Sequence, residues 1–358
     1  MKKSLPVFIF VLAAVTLTAA EYTFTALGDI HFDGKEYHNV PAATKNRKKE
    51  RERNLSMWAN GSSDKVLSAA AKATKKDAVF VVQLGDFTQG DADTKELQEK
   101  MFTDGFAKVK SHFPDLKLLA VKGNHDVRVL NIKGNCNEPA DKAFLPLIAK
   151  ELGREKISGN YFLKHGRDLF IFYDSFAKDK KGVAFVKKTL EANKDARYVF
   201  FFTHLPLLPC CESNPGWLLH GRSKILPMLA KRNAIVLTAH THRHSFMSVK
   251  TPDGTISQMV VCSMGIQWNP KTAPSVKYDK FETLKKICLN NKRVSKKSRA
   301  VLDEMGNYTV NDFKMYSGHS SFVIVNVDDK GVTADIYTND SGKARSTVTL
   351  RTNTKTEK

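Results

Sequence analysis

Cysteine is scarce in this chain, and no two cysteines have the spacing of a metal-binding pair. The 358 residues contain five, Cys136, Cys210, Cys211, Cys262 and Cys288, without a C-x-x-C motif. Their spacing disfavours a zinc–thiolate site, and their odd number leaves at least one thiol unpaired even in an oxidising compartment. Cys136 and the pair Cys210 and Cys211 each follow a segment of candidate functional residues. We therefore predict a disulfide between Cys136 and either Cys210 or Cys211.

Beyond its first residues the sequence has no apolar run long enough to span a membrane. The N-terminus combines Lys2 and Lys3, an apolar run from Leu5 to Leu17, and small residues at positions 18–20. This order is typical of a signal peptide, here residues 1–20. A membrane anchor is the alternative, but a spanning helix needs about 20 apolar residues. We expect an exported mature chain, periplasmic or secreted, without stable membrane insertion after signal removal.

Acidic residues are in deficit, with 37 Asp and Glu against 57 Lys and Arg and a formal net charge of +20. A basic surface raises the local concentration of anionic ligands, such as phosphate compounds or nucleic acid. The lysines are spread along the chain, however, as in an ordinary solvated surface. The mixed-charge stretch Lys45–Arg53 is interpreted as a solvated helix with local ion pairs. The charge therefore indicates an anionic partner, for which nucleic acid is possible but not favoured.

Five short apolar runs alternate with longer segments of helical character. The runs are rich in Val, Phe, Ile and Leu and too short for typical helices, so we predict buried strands. They are Tyr22–Leu27, Ala78–Leu84, Leu116–Lys122, Tyr198–Thr203 and Ala234–Ala239. Helices are predicted at Lys65–Lys76, Thr94–His112 and Asp141–Leu152. Strands that alternate with helices indicate a layered α/β fold in which both faces of the sheet are covered.

Two regions are typical of antiparallel hairpins. Tyr161–Lys164 and Leu169–Asp174 flank a turn at 165–167, and Ser321–Val327 and Val332–Thr338 flank a turn at 328–331. The Lys-rich segment 270–307 shows few signs of a regular core, and we interpret it as an inserted surface or cap segment. One domain is expected over residues 21–350, followed by a flexible polar tail at 351–358.

Each of the five predicted strands ends in side chains that bind metals or transfer protons. The endings are Gly28-Asp29-Ile30-His31, Gly85-Asp86, Gly123-Asn124-His125-Asp126, His204 and His240-Thr241-His242. Ligands of open α/β sheets bind just outside the carboxyl ends of the strands. Side chains alternate in extended chain, so Asp29 and His31 project to one side, and His240 and His242 do likewise. A lone histidine is more often structural, but five such endings in succession predict a metal site.

This ordered series resembles the signature of the calcineurin-like metallophosphoesterase superfamily. The family pattern is Asp-x-His, Gly-Asp, Gly-Asn-His-Asp/Glu, His and Gly-His-x-His, and it matches here from Gly28 to His242. One departure is Ala239, where the family usually has Gly; Ala is small, so we expect little consequence. The resemblance implies a four-layer α/β/β/α sandwich, with the hairpin near 321–338 in the second sheet.

The resemblance also implies a dinuclear metal site. One ion would be held by Asp29, His31 and His242, the other by Asn124, His204 and His240, with Asp86 bridging both. Oxygen and nitrogen donors without thiolate suit Mn, Fe or Zn, and the sequence does not choose among them. A metal-bound hydroxide would then attack the phosphorus of the ester.

Two residues next to the ligand Asn124 are candidate catalytic residues. His125 resembles the family's catalytic histidine, which donates a proton to the leaving group or stabilises charge as it develops. Asp126 either orients His125 or stabilises the loop by accepting hydrogen bonds from its backbone. Arg128 is expected at the surface. Trp217 and His220 lie in a loop that follows His204 and is expected near the site. His244 lies two residues after the predicted ligand His242.

The expected function is hydrolysis of a phosphate mono- or diester of a small substrate. The chain lacks the Asp-Arg-Gly continuation of protein Ser/Thr phosphatases after Asp86, and it lacks the Tyr of purple acid phosphatases there. Both classes are therefore disfavoured. The alternatives are a nuclease or nucleotide phosphodiesterase, and a catalytically silent protein that binds a phosphate ligand. The complete ligand set disfavours the silent protein, and the oligomeric state stays open.

Overall fold

The computed structural model describes residues 21–177, 181–212, 215–265, 276–292, 294–316, 320–338 and 341–353. Within them two β-sheets pack face to face, and helices cover the outer face of each sheet. This arrangement confirms the predicted α/β/β/α sandwich. The predicted signal peptide, residues 354–358 of the predicted tail and residues 270–275 and 293 of the Lys-rich segment lie outside the described residues. No helix of the described part is long and apolar enough to cross a membrane.

The first sheet contains three of the five predicted strands. Its six strands, in order across the sheet, are β14 (Ser346–Thr352), β13 (Gly331–Thr338), β12 (Ser321–Val327), β1 (Tyr22–Leu27), β2 (Ala78–Gln83) and β3 (Lys117–Ala120). β1, β2 and β3 are parallel, whereas β12 pairs antiparallel with β1. The hairpin β12–β13 therefore extends the sheet of the first strand, and its predicted place in the second sheet is wrong.

The second sheet contains the other two predicted strands. Its eight strands, in order, are β10 (Val276–Tyr278), β11 (Thr309–Tyr316), β8 (Ser245–Thr251), β9 (Gly254–Val260), β7 (Ile235–Thr238), β6 (Val199–Phe202), β5 (Asp168–Phe172) and β4 (Tyr161–His165). β5, β6, β7 and β9 run parallel, and β4 and β5 form the predicted hairpin. β2, β3, β6 and β7 each end one or two residues earlier than predicted, because the chain bends into the loops that carry the site, and β3, β6 and β7 also begin one residue later.

Phenylalanine side chains fill the space between the two sheets. On β6, Phe200 and Phe202 face the first sheet while Phe201 faces the outer helices, as the two-residue period of a strand requires. Phe24 of β1 packs edge-on against Phe170 and Phe200, with ring centroids 5.9 and 5.4 Å apart. Each buried phenylalanine contributes about 1.5–3 kcal/mol. This layer fixes the two sheets relative to each other and so holds their strand ends at one edge.

Helices flank both sheets. Beside the first sheet lie α1 (Lys45–Ala59), α2 (Ser62–Ala73), α3 (Lys95–His112) and α4 (Leu145–Glu151), and beside the second lie α5 (Gly182–Ala192), α6 (Arg222–Ala230), α7 (Phe281–Asn290) and α8 (Lys296–Glu304). α3 begins after Thr94, whose hydroxyl accepts a hydrogen bond from the Leu97 N–H at 3.2 Å. α4 is shorter than the predicted Asp141–Leu152 because a π-helical turn, Ala140–Phe144, precedes it. Short 3-10 turns occur at Lys35–Tyr37 and Met305–Asn307.

The Lys-rich segment is more regular than predicted. Its helices α7 and α8 bury Phe281, Leu284 and Leu302 in the outer core of the second sheet, and β10 pairs with β11. The expectation of few core residues was wrong because composition hides periodicity. Phe281, Leu284 and Cys288 recur at i, i+3 and i+7 on one face of α7.

The cysteines and the C-terminal residues also depart from expectation. All five cysteines are buried and none is disulfide-bonded, so the predicted link from Cys136 to Cys210 or Cys211 is wrong. Their closeness to functional segments in sequence does not bring their side chains together. Arg351 belongs to β14 and donates to the Asn233 carbonyl at 3.2 Å, and the Asn353 amide donates to the Tyr198 hydroxyl at 2.6 Å. The start of the predicted flexible tail is therefore ordered through residue 353.

Candidate metal centre

The carboxyl ends of β1, β2, β3, β6 and β7 meet at one edge of the sandwich. The loops that follow these strands bring all seven predicted ligands into one cluster, Asp29, His31, Asp86, Asn124, His204, His240 and His242. The cluster consists of two groups, which we call subsite one and subsite two. Asp86 belongs to both groups, as expected for a bridging carboxylate.

Subsite one consists of Asp29, His31, Asp86 and His242, whose ligand atoms all lie within 4.8 Å of one another. The Nε2 atoms of His31 and His242 are 3.2 Å apart, and Oδ2 of Asp29 is 3.6 Å from Nε2 of His242. This Oδ2 atom is buried and has no hydrogen-bond partner among the described residues. A buried carboxylate oxygen without a donor is strongly destabilised unless a cation compensates it, so the group fits a metal ion.

Subsite two consists of Asp86, Asn124, His204 and His240. Nε2 of His204 lies 3.2 Å from Oδ1 of Asn124, 3.1 Å from Nδ1 of His240 and 3.3 Å from Oδ2 of Asp86. Nδ1 of His204 is 2.9 Å from the Leu84 carbonyl, an acceptor that places the ring proton on Nδ1. Nε2 therefore points into the cluster, and it binds a metal ion once it has released its own proton.

The backbone is held in an unusual conformation at four ligands. His31, Asp86, His240 and His242 have positive φ angles of 47°, 52°, 68° and 53°. Such a conformation costs about 1–3 kcal/mol per non-glycine residue and is concentrated at functional sites. Gly85 is needed for space as well, because a Cβ there would lie 2.5 Å from Nδ1 of His204.

Burial controls the protonation of the ligands in the protein without metal. It raises the pKa of Asp29 to about 8 and lowers the pKa values of His240 and His242 to about 3 each. Burial also opposes charge on His204, but Asp86 outweighs it and raises the pKa of His204 to about 9. His240 and His242 are therefore neutral at pH 7 and keep the lone pairs that bind metals.

The donor set fits two metal ions. All seven groups offer oxygen or nitrogen atoms and none offers a thiolate, which suits Mn, Fe or Zn. In subsite one, the Nε2 atoms of His31 and His242 face each other beside the unpartnered Oδ2 of Asp29. Cations placed between them would satisfy all of these atoms at once.

His125 lies beside the cluster with acceptors at both ring nitrogens. Nδ1 is 2.7 Å from the Gln89 carbonyl, and Nε2 is 3.5 Å from Oε1 of Glu50 and 3.9 Å from Oδ2 of Asp86. Burial alone would lower the pKa of His125, but Asp86 and Glu50 outweigh it and raise this pKa. The arrangement can hold a proton at Nε2, the nitrogen that faces the cluster.

Asp126 does not form the predicted orienting contact with His125. Its carboxylate accepts hydrogen bonds from the N–H groups of Phe87, Thr88 and Gly123 at 3.1, 2.8 and 2.8 Å. Asp126 therefore ties the loop after β2 to the loop after β3, which is the loop-stabilising alternative of the two. The Gln89 carbonyl takes the place expected for Asp126 at Nδ1 of His125.

Helix α1 supplies residues of the site that sequence analysis missed. Oε2 of Glu50 accepts from Nη2 of Arg128 at 3.1 Å, and Arg128 also pairs with Asp91 at 2.9 Å. The Arg128 side chain is only 19% exposed, which corrects its expected place at the surface. The charge pattern of Lys45–Arg53 correctly predicted a helix. The charge pattern did not indicate which face of this helix contacts the loop of His125.

The other sequence candidates lie at different distances from the cluster. The ring centroid of Trp217 is 5.0 Å from that of the ligand candidate His240. His220 is exposed in the same loop. His244 lies outside the cluster, where Nδ1 is 3.1 Å from the Val260 carbonyl.

Comparison with solved structures shows the same fold in distant proteins. A dimetal phosphatase from Danio rerio is 13% identical with a TM-score of 0.52, and the match covers 92% of this chain and 99% of that chain. An anchor of the inner membrane complex of Plasmodium is 12% identical with a TM-score of 0.51, over 94% and 90% of the two chains. The protein PhoD is 11% identical with a TM-score of 0.52, over 93% and 69%. At such identities the likeness concerns the fold alone.

Sequence comparison supplies the family. No protein of curated function matches the chain significantly. The sequence profile of the calcineurin-like phosphoesterases, however, matches residues 22–244, which is more than half of the chain and includes every residue of both subsites. The chain belongs to the calcineurin-like phosphoesterase family.

Proposed function

We propose that the mature chain is an exported phosphohydrolase that binds two metal ions and cleaves phosphate mono- or diesters of a small substrate. The observation that carries the proposal is the cluster of seven donors in two groups that share Asp86, with His125 beside it. A site that only bound phosphate would need no such histidine. The family membership supports the same reaction class.

The residues of the two subsites would divide the ions between them. Asp29, His31 and His242 would hold one ion, Asn124, His204 and His240 the other, and Asp86 both. When bound, such a pair stabilises negative charge on phosphoryl oxygens and lowers the pKa of water. Mn, Fe and Zn all suit these donors.

His125 is the proposed general acid. The Gln89 carbonyl fixes the ring through Nδ1, and Nε2 faces the cluster next to Glu50. A proton at Nε2 is then positioned for transfer to the oxygen of the leaving group. General acids of this kind contribute about 10²- to 10⁴-fold to the rate. Glu50 is a positioning residue, since it acts on His125.

A small substrate is better supported than a nucleic acid. Nucleic-acid binding needs basic side chains that are free to contact phosphates along a groove. Arg128, which lies near His125, is instead paired with Glu50 and Asp91, and Arg47 pairs with the same Asp91. Export is supported by the basic, apolar and small residues of positions 1–20, and sequencing of the mature N-terminus is expected to begin at Glu21.

Hydrolysis of two simple esters tests the proposal. The mature chain is stripped of metal, reloaded with Mn, Zn or Fe, and assayed with p-nitrophenyl phosphate and bis-p-nitrophenyl phosphate beside Asp86→Ala. We expect metal-dependent hydrolysis that is lost in the variant, and the ratio of the two rates separates a monoesterase from a diesterase. Absence of turnover with every metal, although two ions are bound, would contradict the proposed activity.

A further inference from the structure

An exposed tryptophan stands next to subsite two. Trp217 is 48% exposed, the largest exposed fraction among the large hydrophobic side chains of the described residues. Its ring centroid lies 5.0 Å from that of His240, with 52° between the ring planes. A buried tryptophan would remove more apolar surface from water, so an exposed Trp217 contributes less to the stability of the fold. Ligand sites combine aromatic side chains with a small number of polar groups, and Trp217 adds an aromatic face to the polar cluster.

The loop that carries Trp217 is fixed on both sides of the indole. Leu218 and Leu219 are buried, and the Leu219 N–H donates to the Pro206 carbonyl at 2.8 Å. On the other side, Gly216 approaches α8 so closely that a Cβ would lie 2.6 Å from Oγ of Ser298. The indole is therefore presented by a packed backbone, and a ligand need not order the loop when it binds.

Trp58 shows what a structural tryptophan does in this fold. It is partly buried, packs against the main core, and its indole N–H donates to the His31 carbonyl at 2.9 Å. Trp217 belongs to none of the three hydrophobic clusters of the described residues. Its ring lies beside that of His240, and about half of the residue is exposed to solvent.

We propose that Trp217 is a stacking surface for a planar aromatic group of the substrate. This inference rests on the proposed function and names its substrate class, phosphate esters that carry an aryl ring or a nucleobase. A phosphate held at the cluster lies beside His240, so its ester group reaches the indole without a long spacer. Stacking needs only a π-face, which aryl rings and nucleobases share. Glu50 of α1 pairs with Arg128 on the side of His125. The 215–221 loop offers an uncharged aromatic surface instead.

A matched pair of phosphonates tests binding without turnover. Phenylphosphonate carries a planar ring where methylphosphonate carries a methyl group, and neither is hydrolysed. Both are titrated calorimetrically into the Mn-loaded protein. We expect phenylphosphonate to bind about 5- to 100-fold more tightly, the usual range for stacking on one aromatic side chain. In Trp217→Ala this preference should disappear while methylphosphonate binding stays as in the parent. Trp217→Phe, which keeps an aromatic ring, should retain most of it.

The outcomes separate this inference from the proposed function. Equal affinity of the parent for the two phosphonates, together with metal-dependent ester hydrolysis, would overturn the stacking role and leave the function standing. Failure to bind either phosphonate and to hydrolyse any ester would overturn both. A Trp217→Ala protein that loses metal and both phosphonates alike would show that the indole only supports His240, which also overturns the proposal.

Hydrolysis of three monoesters separates the two sources of the ring. The KM of Trp217→Ala is divided by the KM of the parent for each of three esters, so that differences in reactivity between the esters cancel. The esters are p-nitrophenyl phosphate, a nucleoside 5′-monophosphate and glycerol phosphate. We expect an increase in KM for one or both ring-bearing esters and none for glycerol phosphate. An increase limited to the nucleoside ester identifies a nucleobase as the preferred group. An equal increase for all three would contradict stacking.

Discussion

The two subsites share Asp86 but differ in charge and exposure. Subsite one adds a second carboxylate, Asp29, whereas subsite two adds the neutral amide of Asn124. In subsite one Asp29 and His31 are 0% and 2% exposed and only His242 is partly exposed, whereas in subsite two both Asn124 and His240 are partly exposed. The first group is thus a more negative and more enclosed place for a cation than the second.

This difference predicts that ions bound at the two subsites would differ in affinity and in their position relative to the substrate. Coulomb attraction grows with the charge of the ligands and with exclusion of water, so subsite one should bind its ion more tightly. Subsite two, less negative and next to the exposed Trp217, repels an anionic phosphate less. On the proposed function, an ion in subsite one would be the retained one, and the substrate would approach over subsite two.

Loss of the shared carboxylate of Asp86 should weaken metal binding at both subsites. Loss of a residue that merely orients a ligand already costs about 10- to 100-fold in metal affinity, so Asp86→Ala should weaken both ions by more than about 100-fold. Metal content per chain, measured by mass spectrometry of the elements after dialysis, should fall from two ions towards none. The exposed Asp195→Ala serves as the control and should keep both. Retention of two ions by Asp86→Ala would contradict the bridging role.

Removal of one unshared ligand from each subsite should show that the two subsites differ in metal affinity. Asp29→Ala deletes a charged donor and Asn124→Ala a neutral one, so we expect the tighter ion to be lost in the first variant and only the weaker ion in the second. Metal titration of each stripped variant should show one remaining binding step, which is weaker in Asp29→Ala. Identical residual affinities would refute the ranking.

Substitution of His125 should separate metal binding from turnover. His125→Asn removes the proton at Nε2 but no proposed ligand, so kcat should fall by about 10²- to 10⁴-fold with metal content unchanged. The exposed His220→Ala is the matched control and should resemble the parent. Rates equal to the parent on both mono- and diesters would remove His125 from the mechanism.

The contact between α1 and His125 should have the smallest effect. Glu50→Gln keeps the shape of the side chain and removes its charge, and a partly exposed ion pair contributes about 0.2–1 kcal/mol. We expect kcat to fall by about two- to fivefold, with the two metal affinities unchanged. Glu52→Gln, on the same helix but exposed, provides the comparison and should leave kcat as it is. A larger loss in Glu52→Gln than in Glu50→Gln would argue against the positioning role.

The sequence predicts the frame of the site because local patterns determine it. Short apolar runs define the strands, and the residues that follow them become ligands wherever parallel strands end at a common edge. Asp29 and Asp86 could be identified in this way. The same logic located the hairpin at 321–338 but not its sheet, since antiparallel pairing with β1 depends on a partner about 300 positions away in the chain.

Features that depend on one side chain meeting another were not predictable. Glu50 lies on a helix with charges all round, so periodicity does not reveal the face that meets His125. Asp126 was assigned two possible roles because adjacency in sequence does not say whether a carboxylate turns to its neighbour or to backbone N–H groups. The exposure of Trp217 depends on how the loop packs against α8, which no local motif encodes.

The most direct test of a dinuclear centre bridged by Asp86 is anomalous diffraction from crystals of the mature protein grown with Mn. Two anomalous peaks are expected about 3.5–4 Å apart, with Asp86 between them. One peak should lie among Asp29, His31 and His242, and the other among Asn124, His204 and His240. The peak in subsite two should be the first to weaken when the crystals are soaked in a chelator. A single peak at full Mn loading, or two peaks away from Asp86, would contradict a dinuclear centre bridged by Asp86.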